Sequence, residues 1–252
     1  MSLKWVCLSV LFTSVVISLN AHAVSFKVHP LSIEFDKRTK SSIVTITNTH
    51  SGPVTVQLES RRWYQDQEGA DKYEATKDVI FFPKIVTIKK GEQRIVRVGF
   101  RGKPTQEMEQ SYRLYFQELP DSRPAAGALS FAIRFGVPVF VKVANPKYEF
   151  DIGDSFVKNG QLNVNVKNIG NTHIIAKNIA AQGFSRSERS TFEKDMGGWY
   201  VLPGITRTFS LDLPEEGCAS SRQINVQVSV ATQVKHSKTS VDKASCVALK
   251  TK

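Results

Sequence analysis

The chain has 252 residues, of which 23% are charged, and a formal net charge of +11 at pH 7. Its lysines and arginines are spread along the sequence, which argues against a nucleic-acid-binding protein and indicates solvated strand faces. After the N-terminus no apolar run approaches the roughly 20 residues that span a bilayer, so membrane insertion is not expected.

Residues 1–23 have the pattern of a secretory signal peptide. Lys4 precedes an apolar run from Trp5 to Leu19, and Ala21-His22-Ala23 forms a small-x-small cleavage site. Removing this segment leaves 229 residues (252 − 23) with a net charge of +10, because Lys4 is the only charged residue lost. That length suits two domains of about 110 residues each.

The exported sequence retains two cysteines, Cys218 and Cys246, because Cys7 leaves with the signal peptide. An even pair in an oxidising compartment favours one disulfide. Two buried free thiols are the alternative.

The first half of the exported chain has an all-β pattern. Turn signals separate strand-like segments at 24–35, 42–47, 54–59, 79–83, 94–98, 112–120 and 128–143, while residues 64–78 have a charged, loop-like composition. Seven strands in about 120 residues are typical of an immunoglobulin-like sandwich. We therefore predict a first domain over residues 24–144.

The second half repeats this pattern after a hinge at 144–147. Asn159-Gly160 is a strong hairpin signal, and alternating apolar residues follow it at Leu162, Val164 and Val166. Further strand-like segments lie at 199–201, 206–213 and 224–230. The sequence thus predicts an all-β fold with two immunoglobulin-like β-sandwich domains, the second over residues 147–252.

The most unusual stretch is residues 128–143. Apolar side chains recur there at every second position and so share one face of an extended strand: Leu129, Phe131, Ile133, Phe135, Val137, Val139 and Val141. The opposite row contains Pro138, which favours a sheet edge or a bulge because proline cannot donate to the ladder. We predict a long, partly edge-exposed strand whose apolar row needs a cover. The alternative is a central strand of the sandwich core.

No set of residues in the sequence indicates catalysis. The exported chain has no zinc-type spacing, nucleophile elbow, phosphate-binding glycine loop or calcium loop. Its histidines are far apart, at His29, His50, His173 and His236. We predict no enzyme activity, no catalytic residue, no cofactor and no metal site.

Several ordered segments resemble the PapD-like family of periplasmic pilus chaperones. They are P-K-I-V-T-I-K-K-G-E-Q-R-I-V-R-V after Val79, Y-R-L-Y-F-Q-E-L-P at 112–120, the long strand, the Asn168-x-Gly170-Asn171-x-His173 run and W-Y-V-L-P-G at 199–204. The resemblance covers nearly all of the exported chain, and its departures are those of a divergent, archaic-type branch.

This resemblance implies a periplasmic protein that binds pilus or fimbrial subunits and passes them to an outer-membrane usher. A pilus subunit is an incomplete sandwich, and the chaperone lends it the seventh strand, an interaction known as donor-strand complementation. In that reading Leu129, Phe131, Ile133 and Phe135 form the donor row.

The resemblance also implies basic groups in the interdomain cleft that anchor the subunit's C-terminal carboxylate. The family's usual basic positions fall on Ser32 and Pro138 here, so another residue must serve. Arg113 and Arg134 are the candidates, because each lies inside an apolar strand where an unpaired guanidinium is costly. Lys142 is next in line, and exposed arginines on a wet face are the alternative.

A second function remains open from the sequence alone. A secreted adhesive or carbohydrate-binding sandwich would explain the signal peptide, the charge and the strand pattern. It would not explain the long apolar strand.

Overall fold

The computed structural model describes residues 25–120 and 132–248, which form four β-sheets. Ten strands are described in the first half of the chain: β1 Phe26–His29, β2 Ile33–Phe35, β3 Ser41–Asn48, β4 Val54–Gln65, β5 Asp71–Ala75, β6 Val79–Phe82, β7 Ile85–Ile88, β8 Gln93–Phe100, β9 Gln110–Leu119 and β10 Arg134–Val141. One sheet has the order β1-β3-β8-β6, and the other has the order β2-β10-β9-β4-β5 with β7 also paired to β4. These two sheets make the N-terminal domain.

Eight strands of the second half make the other two sheets in the described part of the chain: β11 Phe150–Lys158, β12 Gln161–Asn168, β13 Ile174–Phe184, β14 Ser190–Gly197, β15 Tyr200–Val201, β16 Thr206–Asp212, β17 Gln223–Val230 and β18 Gln233–Ser240. Their orders are β11-β12-β16 and β14-β13-β17-β18, with β15 paired to β13. They make the C-terminal domain. The sheets separate between Val141 and Phe150, an interval that contains the proposed boundary.

Each domain has its own hydrophobic core, made by the inward rows of two facing sheets. In β17 every second residue is buried, as the period-two pattern requires. Val137, Val139 and Val141 of β10 belong to the N-terminal core, together with the inward residues of β3, β4, β8 and β9. The chain therefore has the predicted all-β architecture of two sandwiches.

A buried asparagine ends β3 in the first sandwich and β12 in the second, and it acts in the same way in both. The side-chain amide of Asn48 donates to the carbonyls of Gly52 and Ile88, both at 2.8 Å. That of Asn168 donates to the carbonyls of Thr172 and Val201, also at 2.8 Å. Each amide thus ties the following turn to a distant strand by satisfying carbonyls that would otherwise be buried without a donor.

The structure differs from the sequence prediction at two places in the N-terminal domain. Residues 71–75 form strand β5, although the charged segment 64–78 predicted a loop; the strand forms because it pairs with the end of β4, and its side chains are mostly exposed. The described part of the long strand begins at Arg134, later than the predicted start at residue 128. Residues 128–131 lie outside the described residues.

The C-terminal domain has a short α-helix, Glu215–Ser220, between β16 and β17, and a 3₁₀ turn, Lys243–Cys246, after β18. Cys218 and Cys246 form a disulfide that links them, as predicted. No helix in the described ranges is both long and apolar enough to cross a bilayer.

We expect the double change Cys218→Ser and Cys246→Ser to lower the free energy of unfolding. The bridge closes a loop with a sequence separation of 28 residues. A loop of that size contributes about 3–4 kcal/mol in the chain-entropy model. Denaturant unfolding of the two proteins measures the difference. Two free thiols in the unreduced mass spectrum of protein purified from the periplasm would contradict the bridge.

Candidate functional site

The two domains meet on the outer face of the sheet that contains β4, β9 and β10. Trp63 and Phe140 come from this face and pack against Tyr200 and Leu202 of the C-terminal domain. The Trp63 and Tyr200 rings meet edge-on at 5.2 Å, and Phe140 stacks on the His173 ring at 3.7 Å. The side chains of β10 that point away from the N-terminal core are thus partly covered by the second domain.

Polar contacts fix the two domains in one arrangement. The Gln65 amide donates to the Tyr200 carbonyl and accepts from the Leu202 N–H, both at 2.9 Å. The Glu109 carboxylate accepts from the His173 backbone N–H at 3.0 Å and lies 2.6 Å from the His173 ring. These bonds satisfy several polar groups that the aromatic contact removes from water, while Glu109 Oε2 has no partner among the described residues.

The linker between the domains is held by the turn that follows β12. The Asn171 carboxamide accepts from the Lys147 N–H at 2.7 Å and donates to the Asn145 carbonyl at 3.1 Å. Gly170 has to be glycine, because a Cβ there would lie 2.1 Å from the Lys147 carbonyl oxygen. The Asn168–His173 run of the sequence resemblance therefore fixes the hinge region.

Arg113 lies at the centre of the domain contact. It is on β9 opposite Pro138 of β10, so its side chain points to the outer face, and only 6% of the residue is exposed. Its guanidinium carbon lies 4.0 Å from the Trp63 ring centre, 5.4 Å from that of Tyr200 and 5.7 Å from that of Trp199. We call Arg113 and these three rings the Arg113 site.

The Arg113 guanidinium is incompletely hydrogen-bonded. Nη1 donates to the Gly136 carbonyl at 3.3 Å, while Nε and Nη2 are buried without a partner in the described part of the chain. A buried guanidinium whose donors are unsatisfied is costly, and the aromatic contacts offset only part of this cost. Two free N–H groups side by side on a planar cation match the geometry of a carboxylate.

Arg134 shares the outer face with Arg113 but lies in a different environment. Its partner on β9 is Gln117, whereas Arg113 is opposite Pro138. Arg134 therefore lies four residues before Pro138 on β10, about 13 Å away. Its guanidinium pairs with Glu59 at 2.9 Å, stacks 4.0 Å from the Tyr115 ring centre and is about half exposed. The structure does not bring the two arginines together.

Lys142, the third basic candidate, already has an acidic partner. Its ammonium lies 2.5 Å from the Glu34 carboxylate, and this hydrogen bond raises the pKa of Lys142 above its usual value. The lysine is therefore charged at neutral pH and largely neutralised by Glu34.

The predicted donor row divides along β10. Phe135 is 39% exposed, Ile133 is half-buried against the N-terminal core, and Val137 on the same face is fully buried. Leu129 and Phe131 lie outside the described residues. On this face the side chain of Phe135 is exposed, whereas that of Val137, two residues later, is in the core.

The edge of β10 next to these residues is open in the described chain. On one side β9 pairs with all eight residues from Arg134 to Val141. On the other side β2 pairs in parallel with Val139–Val141 alone, within the ranges that the structure covers. Pro138, which has no N–H to donate, lies where this pairing stops, as expected for a strand with a free edge.

The sequence model of a protein family, described as pili and flagellar-assembly chaperone, PapD N-terminal domain, matches residues 25–146. The N-terminal domain of the chain belongs to the PapD-like family of pilus chaperones. A search of curated proteins gives no match.

Solved structures share the fold of both domains. A chain of the CsuC–CsuE chaperone–tip adhesion subunit pre-assembly complex, from archaic chaperone-usher Csu pili of Acinetobacter baumannii, is 22% identical, with a TM-score of 0.56 over 85% of this chain and 98% of that one. The CupB2 chaperone of Pseudomonas aeruginosa is 13% identical, with a TM-score of 0.53 over 85% of this chain and all of that one. A chain of the SafA pilin–SafB chaperone complex of Salmonella enterica is 14% identical, with a TM-score of 0.52 over 84% and 95%.

The site of this PapD-like chain includes residues that the sequence did not single out. Trp63, Gln65 and Glu109 lie outside the strand segments predicted from the sequence, and Gln65 lies in the segment predicted as a loop. Trp63 offered the one signal in the sequence, because a tryptophan on a solvent-facing side of a strand is usually buried by another part of the protein. Among the described residues no group of three or more His, Cys, Asp or Glu side chains is placed to hold a metal.

We expect Arg113→Met to leave the free protein as stable as the natural one, or up to about 2 kcal/mol more stable. The change removes a buried charge with two unsatisfied N–H groups and keeps most of the packing volume, at the loss of the contact with Trp63. Thermal and denaturant unfolding give the difference. Arg134→Met, on the exposed part of the same face, is the control and should change stability by less than about 1 kcal/mol. A loss of 3–5 kcal/mol for Arg113→Met would mean that its guanidinium is fully satisfied.

Proposed function

We propose that this chain is an exported periplasmic chaperone that binds pilus subunits by donor-strand complementation and delivers them to an outer-membrane usher. The donor segment comprises the start of β10 and the residues before it, with Leu129, Phe131, Ile133 and Phe135 as the donor row. The activity needs no cofactor and no catalytic residue. Family membership and the shared fold support the chaperone role, whereas donor-strand pairing, the usher and the compartment belong to the proposal.

The Arg113 site carries the proposal. Its two buried, unpartnered N–H groups call for an anion that the described chain does not supply. The C-terminal carboxylate of a bound subunit has the required charge and bidentate geometry. Arg134 and Lys142 are weaker candidates, because Glu59 and Glu34 already neutralise them.

The open edge of β10 supports the same mode of binding. Backbone groups along Arg134–Pro138 face β9 on one side, and no described strand pairs with the other. A subunit strand added there would continue the sheet of the N-terminal domain and gain affinity from main-chain hydrogen bonds. Phe135, exposed beside this edge, would enter the subunit's open groove.

We expect Arg113→Met to lose subunit capture while the chaperone stays folded. Removing one partner of a desolvated charge pair costs on the order of 2–5 kcal/mol, which raises the Kd at least about 30-fold. Co-expression with a pilus subunit from the same genome, followed by co-purification and titration, measures the change. Arg134→Met is the matched control and should retain subunit.

An unchanged Kd for Arg113→Met would remove Arg113 from the anchor and direct the search to Lys142. Failure of the natural chain to bind any pilus subunit from the same genome would contradict the chaperone proposal and favour the secreted adhesive or carbohydrate-binding alternative.

We expect Phe135→Ser to weaken subunit binding with little effect on the free protein. The side chain still exposes roughly 80 Å² that a subunit groove could bury, which is worth about 2 kcal/mol. Val137→Ser is the matched control on the same face, and it should cost the free domain about 2–3 kcal/mol because Val137 is in the core. Melting temperatures and subunit titrations of both variants separate the two roles. Equal destabilisation by both changes, with capture intact, would assign Phe135 to the core and rule out its role as a donor.

A further inference from the structure

One carboxylate, that of Asp71 at the start of β5, joins both tryptophans of the Arg113 site. Its Oδ1 accepts from the Trp63 indole N–H at 2.9 Å and from the Gln65 amide at 2.9 Å. Its Oδ2 accepts from the Trp199 indole N–H at 2.8 Å, and the Arg207 guanidinium lies 3.5 Å from Oδ1. Two of these three hydrogen-bond donors belong to the N-terminal domain, whereas the third donor, Trp199, and the ion-pair partner, Arg207, belong to the C-terminal domain.

The bond to Trp199 ties that indole to the N-terminal domain, whereas its other ring contacts are with Tyr200 and Arg113. The Trp199 side chain comes from the C-terminal domain and the residue is 42% exposed, whereas Trp63 is 2% exposed and fixed by packing. Asp71 itself is mostly buried, with 18% of its side chain exposed, so its charge is only partly screened. A hydrogen bond to a charged acceptor in such a setting is stronger than a neutral one.

We propose that Asp71 is a positioning residue for subunit capture: by binding Trp63 and Trp199 together it keeps the aromatic walls of the Arg113 site in place across the domain contact. Arg113 then meets the incoming carboxylate with its Nε and Nη2 already oriented. This inference rests on the proposed function, because it assigns Asp71 a role in the binding step that Arg113 performs. Nothing in the role requires Asp71 to touch the subunit.

The decisive variant is Asp71→Asn, which keeps the shape and replaces one acceptor oxygen by a donor. An asparagine can accept from one indole N–H but not from both, so one tryptophan loses its bond. We expect the Kd for the subunit to rise on the order of tenfold. Asp71→Glu, which keeps two acceptor oxygens, should restore part of the affinity. Glu74→Gln makes the same charge change on the same strand, where the residue is exposed, and should leave the Kd unchanged.

The tryptophans give a direct readout that needs no subunit. After removal of the predicted signal peptide, which contains Trp5, the chain keeps Trp63 and Trp199 as its two tryptophans, so its ¹H–¹⁵N spectrum should show two indole signals. Asp71→Asn should shift at least one of them markedly, and Glu74→Gln should shift neither. Unshifted indole signals in Asp71→Asn would overturn the proposal whatever the subunit does.

A double-mutant cycle tests whether Asp71 acts through Arg113. Arg113→Lys removes the planar guanidinium that the aromatic rings orient. In that background Asp71→Asn should weaken subunit binding by less than about threefold. An equal, tenfold loss in both backgrounds would make Asp71 a general structural residue and overturn the proposal. Failure of the proposed function would look different. In that case Arg113→Met would bind the subunit normally, while Asp71→Asn would still shift the indole signals.

Discussion

The two domains meet around one buried cation, the guanidinium of Arg113, whose unsatisfied charge is the constraint on the proposed site. The C-terminal domain places Trp199 and Tyr200 beside it, the N-terminal domain places Trp63 against one of its faces, and two of its nitrogens have no acceptor among the residues that the structure describes. A chain selected only for stability would replace such a group with an apolar side chain. Retaining it makes sense where an anion completes the site, and in a PapD-like protein that anion can be supplied by the end of a subunit.

The same sheet serves the core and the domain contact through its two opposite rows. Val137, Val139 and Val141 fill the N-terminal core, while Arg113 and Phe140 point the other way, toward the second domain. Residues opposite each other on neighbouring strands share a face of the sheet, so the pairing of Arg113 with Pro138 sets the direction of the Arg113 side chain. Core packing therefore fixes the register of β9 and β10, and that register presents the guanidinium at the interface.

Sequence reasoning identified the two sandwiches and the face on which each residue of β10 lies, because a period of two determines these from local pattern alone. It identified the disulfide pair from the even number of cysteines left after the signal peptide. It could not decide which end of the outer face is covered. Arg113 and Arg134 have the same parity, yet the C-terminal domain covers only the first, and Arg134 remains a half-exposed partner of Glu59. Asp71 was missed for a similar reason: its three hydrogen-bond donors and its ion-pair partner come from 63, 65, 199 and 207, and no local pattern joins them. The charged residues of β5 predict a loop, but they face solvent because β5 is an edge strand. Its formation depends on pairing with β4, which the local sequence does not reveal.

The most direct test of the account is the crystal structure of the chaperone bound to a pilus subunit with an intact C-terminus. The account predicts a subunit carboxylate within about 2.7–2.9 Å of Nε and Nη2 of Arg113, the usual distance for charge-assisted hydrogen bonds. A subunit carboxylate bound instead to Lys142 or Arg134, with the Arg113 nitrogens still unpartnered, would contradict it.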